Sequence, residues 1–288
     1  MPLDYDLLMS LPPEEVRQSY TARDTILYAL GVAAGVPDPL DPGDLKYTYE
    51  ADLHALPTMA VVLAYPGVWL MEPRFGITWH KVLHGEQTLR LHRPLPVEGT
   101  VVAATVIDAI YDKGADKGAV LYTRRDIRDA ATGELLATVG QSAFLRGDGG
   151  FGGKADGAPK PHPVPDDRPP DLTLDLPTRP EQALIYRLSG DWNPLHVDPG
   201  VAALARFSRP ILHGLCTYGV AGRAVLRLLC GNDPARLRRL DGRFSAPVFP
   251  GETIRTEIWH EGPGRAALRA RVVERDLVVL TNGVVEWV

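Results

Sequence analysis

Ile211-Leu-His-Gly-Leu-Cys-Thr-Tyr-Gly-Val-Ala-Gly-Arg-Ala-Val-Leu-Arg-Leu-Leu-Cys230 follows a proline and is apolar on nearly every face, through Leu212, Leu215, Tyr218, Val220, Val225, Leu228 and Leu229. A helix with that pattern belongs in an interior, because no polar stripe is left for water. Gly231-Asn232 supplies a C-terminal cap. Downstream, residues 253–260, 266–274 and 277–287 read as strands. A single buried helix with several antiparallel strands to wrap it is an α+β arrangement.

The first half of the chain repeats the scheme. Residues 101–112, 119–129 and 135–145 read as strands, and residues 23–34 and 180–189 as short helices. Pro180 and Glu181 suit the first turn of the second helix. Ile26-Leu-Tyr-Ala-Leu30 resembles Leu184-Ile-Tyr-Arg-Leu188, an offset of 158 residues (184 − 26). Arg93-Pro-Leu-Pro-Val-Glu-Gly-Thr-Val101 resembles Ala246-Pro-Val-Phe-Pro-Gly-Glu-Thr-Ile254, an offset of 153 (246 − 93). Two matches in the same order point to duplication with small insertions. The first copy's buried helix is shorter and weaker, over residues 58–65. Between the copies, residues 146–178 are rich in Gly, Pro and Asp and read as a surface linker. The expected organisation is 1–145, a linker 146–178, and 179–288.

Composition excludes several roles. The chain has 288 residues, 45% hydrophobic and 23% charged, enough for one large domain or two modest ones. A net charge of −5 argues against nucleic-acid binding, which neutralises phosphates with Lys and Arg. Cys216 and Cys230, both in the apolar helix, fit buried thiols in a reducing compartment. The acidic start Met1-Pro-Leu-Asp-Tyr-Asp6 lacks the signal-peptide pattern, and no apolar run of membrane-spanning length occurs. The final Glu286-Trp-Val288 is not a peroxisomal address of the Ser-Lys-Leu type. A cytoplasmic protein with no membrane partner is expected.

The densest polar cluster in apolar surroundings is Tyr186-Arg-Leu-Ser-Gly-Asp-Trp-Asn-Pro-Leu-His196. A helix end followed by a Pro-fixed turn brings Asp191 and His196 together. A carboxylate beside an imidazole orients it and raises its basicity, and the two can hold a water for proton transfer. Arg209-Pro-Ile-Leu-His-Gly214 then opens the apolar helix, so the Gly214 N–H is among the donors a helix start leaves free. It could bind a thioester carbonyl oxygen as negative charge develops there. At the 158-residue offset, Asp191 and His196 correspond to Ala33 and Asp38, so the first copy lacks the pair. Arg236, Arg238, Arg239 and Arg243 form a basic cluster suited to phosphates.

These residues resemble the hydratase 2 motif of the MaoC-like, (R)-specific enoyl-CoA hydratases. Val82-Leu-His-Gly-Glu-Gln87, Leu91-His-Arg-Pro-Leu-Pro96 and Tyr111-Asp-Lys-Gly114 are similar to the first half of the two-domain members, and Arg243-Phe-Ser-Ala-Pro-Val248 with Pro250-Gly-Glu-Thr253 to the second. The resemblance covers roughly residues 5–145 and 176–288. It implies a double hot-dog fold, two antiparallel sheets each wrapped around a central helix, with a degenerate first half that makes room for the acyl chain. It further implies hydration of trans-2-enoyl-CoA to the (3R)-3-hydroxyacyl-CoA without metal or cofactor, by Asp191 and His196 with Gly214 as the oxyanion donor. By the same resemblance His84, Gly85, Lys113, Asn193 and Phe244 contact the CoA thioester. A homodimer is expected. An acyl-CoA thioesterase and a non-catalytic acyl-CoA-binding subunit are the alternatives, and chain length stays open. Residues 53–65 and 67–69 are expected to border the acyl pocket.

Overall fold

The computed structural model describes residues 3–288; Met1 and Pro2, the first residues of the acidic start, lie outside it. Ten antiparallel strands form one continuous sheet. They are β1 (Glu15–Tyr20), β2 (Val82–Leu91), β3 (Gly99–Asp112), β4 (Ala119–Asp129), β5 (Leu135–Leu145), β6 (Leu172–Pro177), β7 (Leu237–Phe244), β8 (Thr253–Gly262), β9 (Arg265–Val272) and β10 (Leu277–Trp287). Their order is β1-β3-β4-β5-β2-β7-β10-β9-β8-β6. Read from each outer edge, both halves run first, third, fourth, fifth, second strand, which is the duplication expressed as topology. The two sheets expected from the sequence therefore meet edge to edge through β2 and β7, where Glu86–Arg90 pair with Arg243–Arg239. The whole is a double hot-dog.

Six α-helices accompany the sheet: α1 (Tyr5–Met9), α2 (Ala22–Gly31), α3 (Pro42–Thr48), α4 (Gln182–Tyr186), α5 (Pro199–Leu204) and α6 (Gly214–Leu229). The buried helix of the opening stretch is α6, starting at Gly214 where the expectation had residue 211. Leu212 is held in extended backbone by donating its N–H to the Val248 carbonyl (2.7 Å). Tyr218, Val220, Val225 and Leu226 are fully buried, each stabilising by roughly 1.5–3 kcal/mol. Gly219 and Gly222 permit close crossing: a Cβ there would lie 2.4 Å from a Val32 methyl and 2.5 Å from a Thr58 methyl. In the first half the matching helix shrinks to one 3-10 turn, Pro57–Val61. Pro57 fixes its start, and the left-handed Ala64 bends the chain away after it.

One buried charge interrupts the apolar helix. Arg223, 2% exposed, donates to the Val32 carbonyl (3.0 Å) and to Asp44 (2.6 Å). Arg227 joins Asp41 and Asp44 at 2.7 Å. Burial pushes the Asp44 carboxyl up, but Arg223, Arg227 and the Gly35 N–H outweigh it and hold it below the ordinary range. This network ties α3 of the first half to α6.

The stretch 146–178 is tied down along its length, although it reads as a linker. Asp112 accepts N–H groups from Gly150 and Gly152. Asn282 donates to the His162 carbonyl, and Trp259 to that of Arg168. Its last part is strand β6, paired with β8; Leu172, Leu174 and Leu176 alternate there, a period hidden by the surrounding Pro and Asp. Among the described residues no helix is long and apolar enough to cross a membrane.

Candidate active site

The loop carrying Asp191 and His196 is fixed by its own sequence. α4 runs into a 3-10 turn that ends at the left-handed Gly190. The Asn193 N–H donates to Asp191 Oδ1 (3.1 Å), and Asn193 Oδ1 accepts from the Leu195 N–H (3.0 Å). Pro194 then opens the single 3-10 turn Pro194–His196. Asn193 is thus a turn-former first. Asp198 caps the following α5 through the Gly200 and Val201 N–H groups.

A third side chain completes the cluster. Donor atoms of Asp191, His196 and His213 all lie within 4.8 Å of one another. The His196 and His213 rings stack with centroids 3.7 Å apart. His196 donates its Nδ1–H to the Ile211 carbonyl (2.8 Å), which leaves Nε2 as the acceptor in the neutral ring. His213 donates Nε2–H to the Asp191 main-chain carbonyl (3.2 Å), pinning the loop to the start of α6. Each ring thus keeps one nitrogen on a main-chain carbonyl and has the other left over.

Burial pushes the His196 imidazole below its ordinary 6.5, while the Ile211 hydrogen bond and the Asp191 charge act the other way. His213 is driven to about 3 by burial and then by His196. Both rings are therefore neutral at pH 7, and a neutral His196 is a competent base. In a pH series of kcat/KM, the acid limb should be centred below pH 6.5, the ordinary value of a histidine. An acid limb centred above 6.5 would contradict this placement.

Three further expected residues pack together across the join between the halves. His84, at the start of β2, lies edge-on to Phe244 at the end of β7 (4.8 Å). The Phe244 ring in turn sits 3.3 Å from where a Cβ on Gly214 would be. His84 donates Nε2–H to the Glu86 carbonyl (3.1 Å), and burial lowers it to about 4. Gly85 occupies the bulge where β2 slips against β5. Asp191 reaches this group electrostatically, since its charge acts on both His84 and Tyr65.

Lys113 stands apart. It directly follows β3, which lies three strands from β2 in the sheet order, and its ammonium donates to the Ala155 carbonyl (2.5 Å). Three arginines of the basic cluster are committed internally. Arg239 pairs with Asp241 and Glu286, and Arg236 and Arg238 hold the Val288 and Ala235 carbonyls. The first copy's counterparts carry no pair: Ala33 is buried, and Asp38 accepts the Leu40 N–H in a turn.

A cavity of about 130 Å3 backs onto Gly190, walled by Tyr20, Tyr28, Met59, Val62 and Leu63. Of residues 53–65, Met59, Val62 and Leu63 line this cavity, whereas Trp69 packs on Phe75 (5.6 Å). A wider groove of about 520 Å3 between Tyr5, Arg74 and Phe151 contains none of the residues of the Asp191 cluster. His213 and Arg125 were not singled out from sequence, and Tyr65 only as the end of the stretch 53–65. His213 lay inside the quoted helix-start words, and its place beside Gly214 was the available signal.

A duplicated hot-dog with one aspartate–histidine site beside a helix start is the framework of a hot-dog hydro-lyase. The chain belongs to the MaoC-like dehydratase family: residues 163–283 match the MaoC like domain and residues 18–147 the MFE-2 hydratase 2 N-terminal domain. It is 46% identical to 3-hydroxyacyl-thioester dehydratase Y of Mycobacterium tuberculosis, over 93% of each chain. It is 38% identical to the peroxisomal enoyl-CoA hydratase 2 of Arabidopsis thaliana, over 96% of this chain and 93% of that one. The crystal structure of a MaoC-like dehydratase from Phytophthora capsici superposes with a TM-score of 0.87, at 36% identity over 99% of both chains.

Proposed function

We propose that the protein reversibly hydrates trans-2-enoyl-CoA to (3R)-3-hydroxyacyl-CoA. The observation that carries this is the His196 tautomer: with Nδ1–H given to Ile211, Nε2 is left as a base beside the Asp191 carboxylate. Asp191 and His196 hold a water and take its proton. The hydroxide adds to C3, and charge moves to the thioester oxygen, met by the Gly214 N–H at the start of α6. The pair then returns a proton to C2, so one water is added in full. Addition and protonation from one face make the addition syn; the (3R) outcome follows from the family resemblance. No metal or cofactor enters this scheme.

In this reading the first half, residues 1–145, receives the acyl chain and part of the CoA, the stretch 146–178 connects, and residues 179–288 carry the chemistry. His84, Gly85, Asn193 and Phe244 are the proposed thioester contacts, with Lys113 kept only for the outer CoA. A homodimer and a cytoplasmic setting complete the proposal; the buried free thiols of Cys216 and Cys230 accord with a reducing compartment.

The test is incubation with trans-2-enoyl-CoAs of increasing length. Loss of the conjugated enoyl absorbance without release of CoA thiol, and a (3R) product by chiral analysis, are expected. Thiol release would instead mark a thioesterase, and tight binding without turnover a non-catalytic subunit.

A further inference from the structure

The inner face of the first half holds a charge that this mechanism does not use. Along β4, Ala119, Leu121, Thr123, Arg125 and Ile127 are the buried, inward positions. An apolar residue is the ordinary occupant of such a place, because a buried charge without a partner is costly. Arg125 is 4% exposed. Among the described residues no carboxylate acts on it; burial pushes its pKa down to about 10, and Tyr65 acts the other way.

Few of its donors are spent. Nη2–H goes to the Val61 carbonyl (2.9 Å), while the buried Nε has no acceptor. Directly opposite on β3, the Thr105 hydroxyl is also buried without a partner. The guanidinium lies 5.2 Å from the Tyr65 ring centroid. Val61 and Tyr65 belong to the short segment that stands in the first half where α6 stands in the second. The charge also reaches the site: on His84 and on Tyr65, Arg125 and Asp191 act with opposite sign. Those two side chains lie in a field between a buried cation from one half and a carboxylate from the other.

Capping the 3-10 turn at Val61 requires only a donor, which a neutral amide supplies as well. The buried charge is left over. We propose that Arg125 is a positioning residue for the hydration, a fixed positive charge from the first half that, with His84 and Tyr65, favours the negative charge developing on the thioester. In a low-dielectric interior such a charge acts without touching the substrate. The proposal rests on the reading of Asp191 and His196 as the acid–base pair.

Two variants of the full chain separate charge from cap, assayed on trans-2-butenoyl-CoA. Arg125→Gln keeps a donor for Val61 and removes the charge; Arg125→Lys keeps the charge. Arg125→Gln should lose about tenfold or more in kcat with KM little changed, because only transition-state charge is affected. Arg125→Lys should stay within about threefold of the parent on the same scale. Equal activity of Arg125→Gln and parent overturns the proposal. So does an equal loss in both variants, or failure of both to fold, since either makes Arg125 a structural anchor. Asp191→Asn in the same series keeps the two ideas apart: full activity there sinks the acid–base assignment, whatever the Arg125 variants do.

Discussion

Asp191→Asn and His196→Ala should each lower kcat by at least about 10²–10⁴-fold, the range over which general acid–base catalysis contributes. Asparagine is nearly isosteric, and its amide oxygen can still accept the Asn193 N–H that holds the turn. The loop should therefore stay in place while the charge that supports His196 is lost. KM should move little, since the interaction removed is made in the transition state. His196→Ala also strips the stacked partner from His213, so some loss of stability accompanies the loss of rate. Because the two residues act as a unit, the double variant should be scarcely slower than the worse single one. Steady-state hydration rates, with thermal unfolding as the check on folding, decide it; parent-like rates in both single variants would remove these residues from the mechanism.

The second large effect is expected at Gly214, where proline tests the backbone donor itself. Proline removes the N–H, is well tolerated at the first helical position, and suits the fixed φ of a helix. His213 has φ −58° and ψ 135°, the extended conformation that a residue before proline prefers. Gly214→Pro should thus leave α6 intact and lower kcat by roughly 10²–10³-fold, as removal of an oxyanion donor does. A contact effect has to be separated from this, because any Cβ at 214 meets the Phe244 ring at 3.3 Å. Gly214→Ala retains the N–H and makes the same contact, so it should lose only about tenfold or less. Equal losses in the two variants would place the defect in Phe244 and not in the donor.

What could be read beforehand divides along physical lines. β4, β5 and β10 were legible to the residue: β4 alternates between buried and partly exposed positions, and β5 and β10 are largely apolar runs, β-branched above all in β10. α6 was legible because it has hardly any polar face. The two strands at the join, β2 and β7, read as motif words and a basic cluster. Their charges are answered within the sheet: Arg239 of β7 holds its neighbour Asp241 and also Glu286 of β10, and Arg90 of β2 reaches the same Glu286 across the join. Polarity that is paired in space looks like surface in sequence. Asp191, His196 and Gly214 sit in short stiff words whose turn chemistry is local, so their approach could be anticipated. His213 on His196, Phe244 on His84 and Arg125 behind Tyr65 are meetings of distant segments, and no spacing along the chain announces them.

The β2–β7 pairing bears on why a copy without the aspartate–histidine pair persists. Each half alone would end in a bare strand with a row of unsatisfied backbone donors and acceptors, a template for adhesion to any other chain. Joined, each half is the other's guard rail: the flank most prone to sticking is sealed inside the molecule, and only β1 and β6 are left as rims. The first copy can lack the pair without being dispensable, since the second alone would stand on an open flank with nothing in the place of His84 against Phe244.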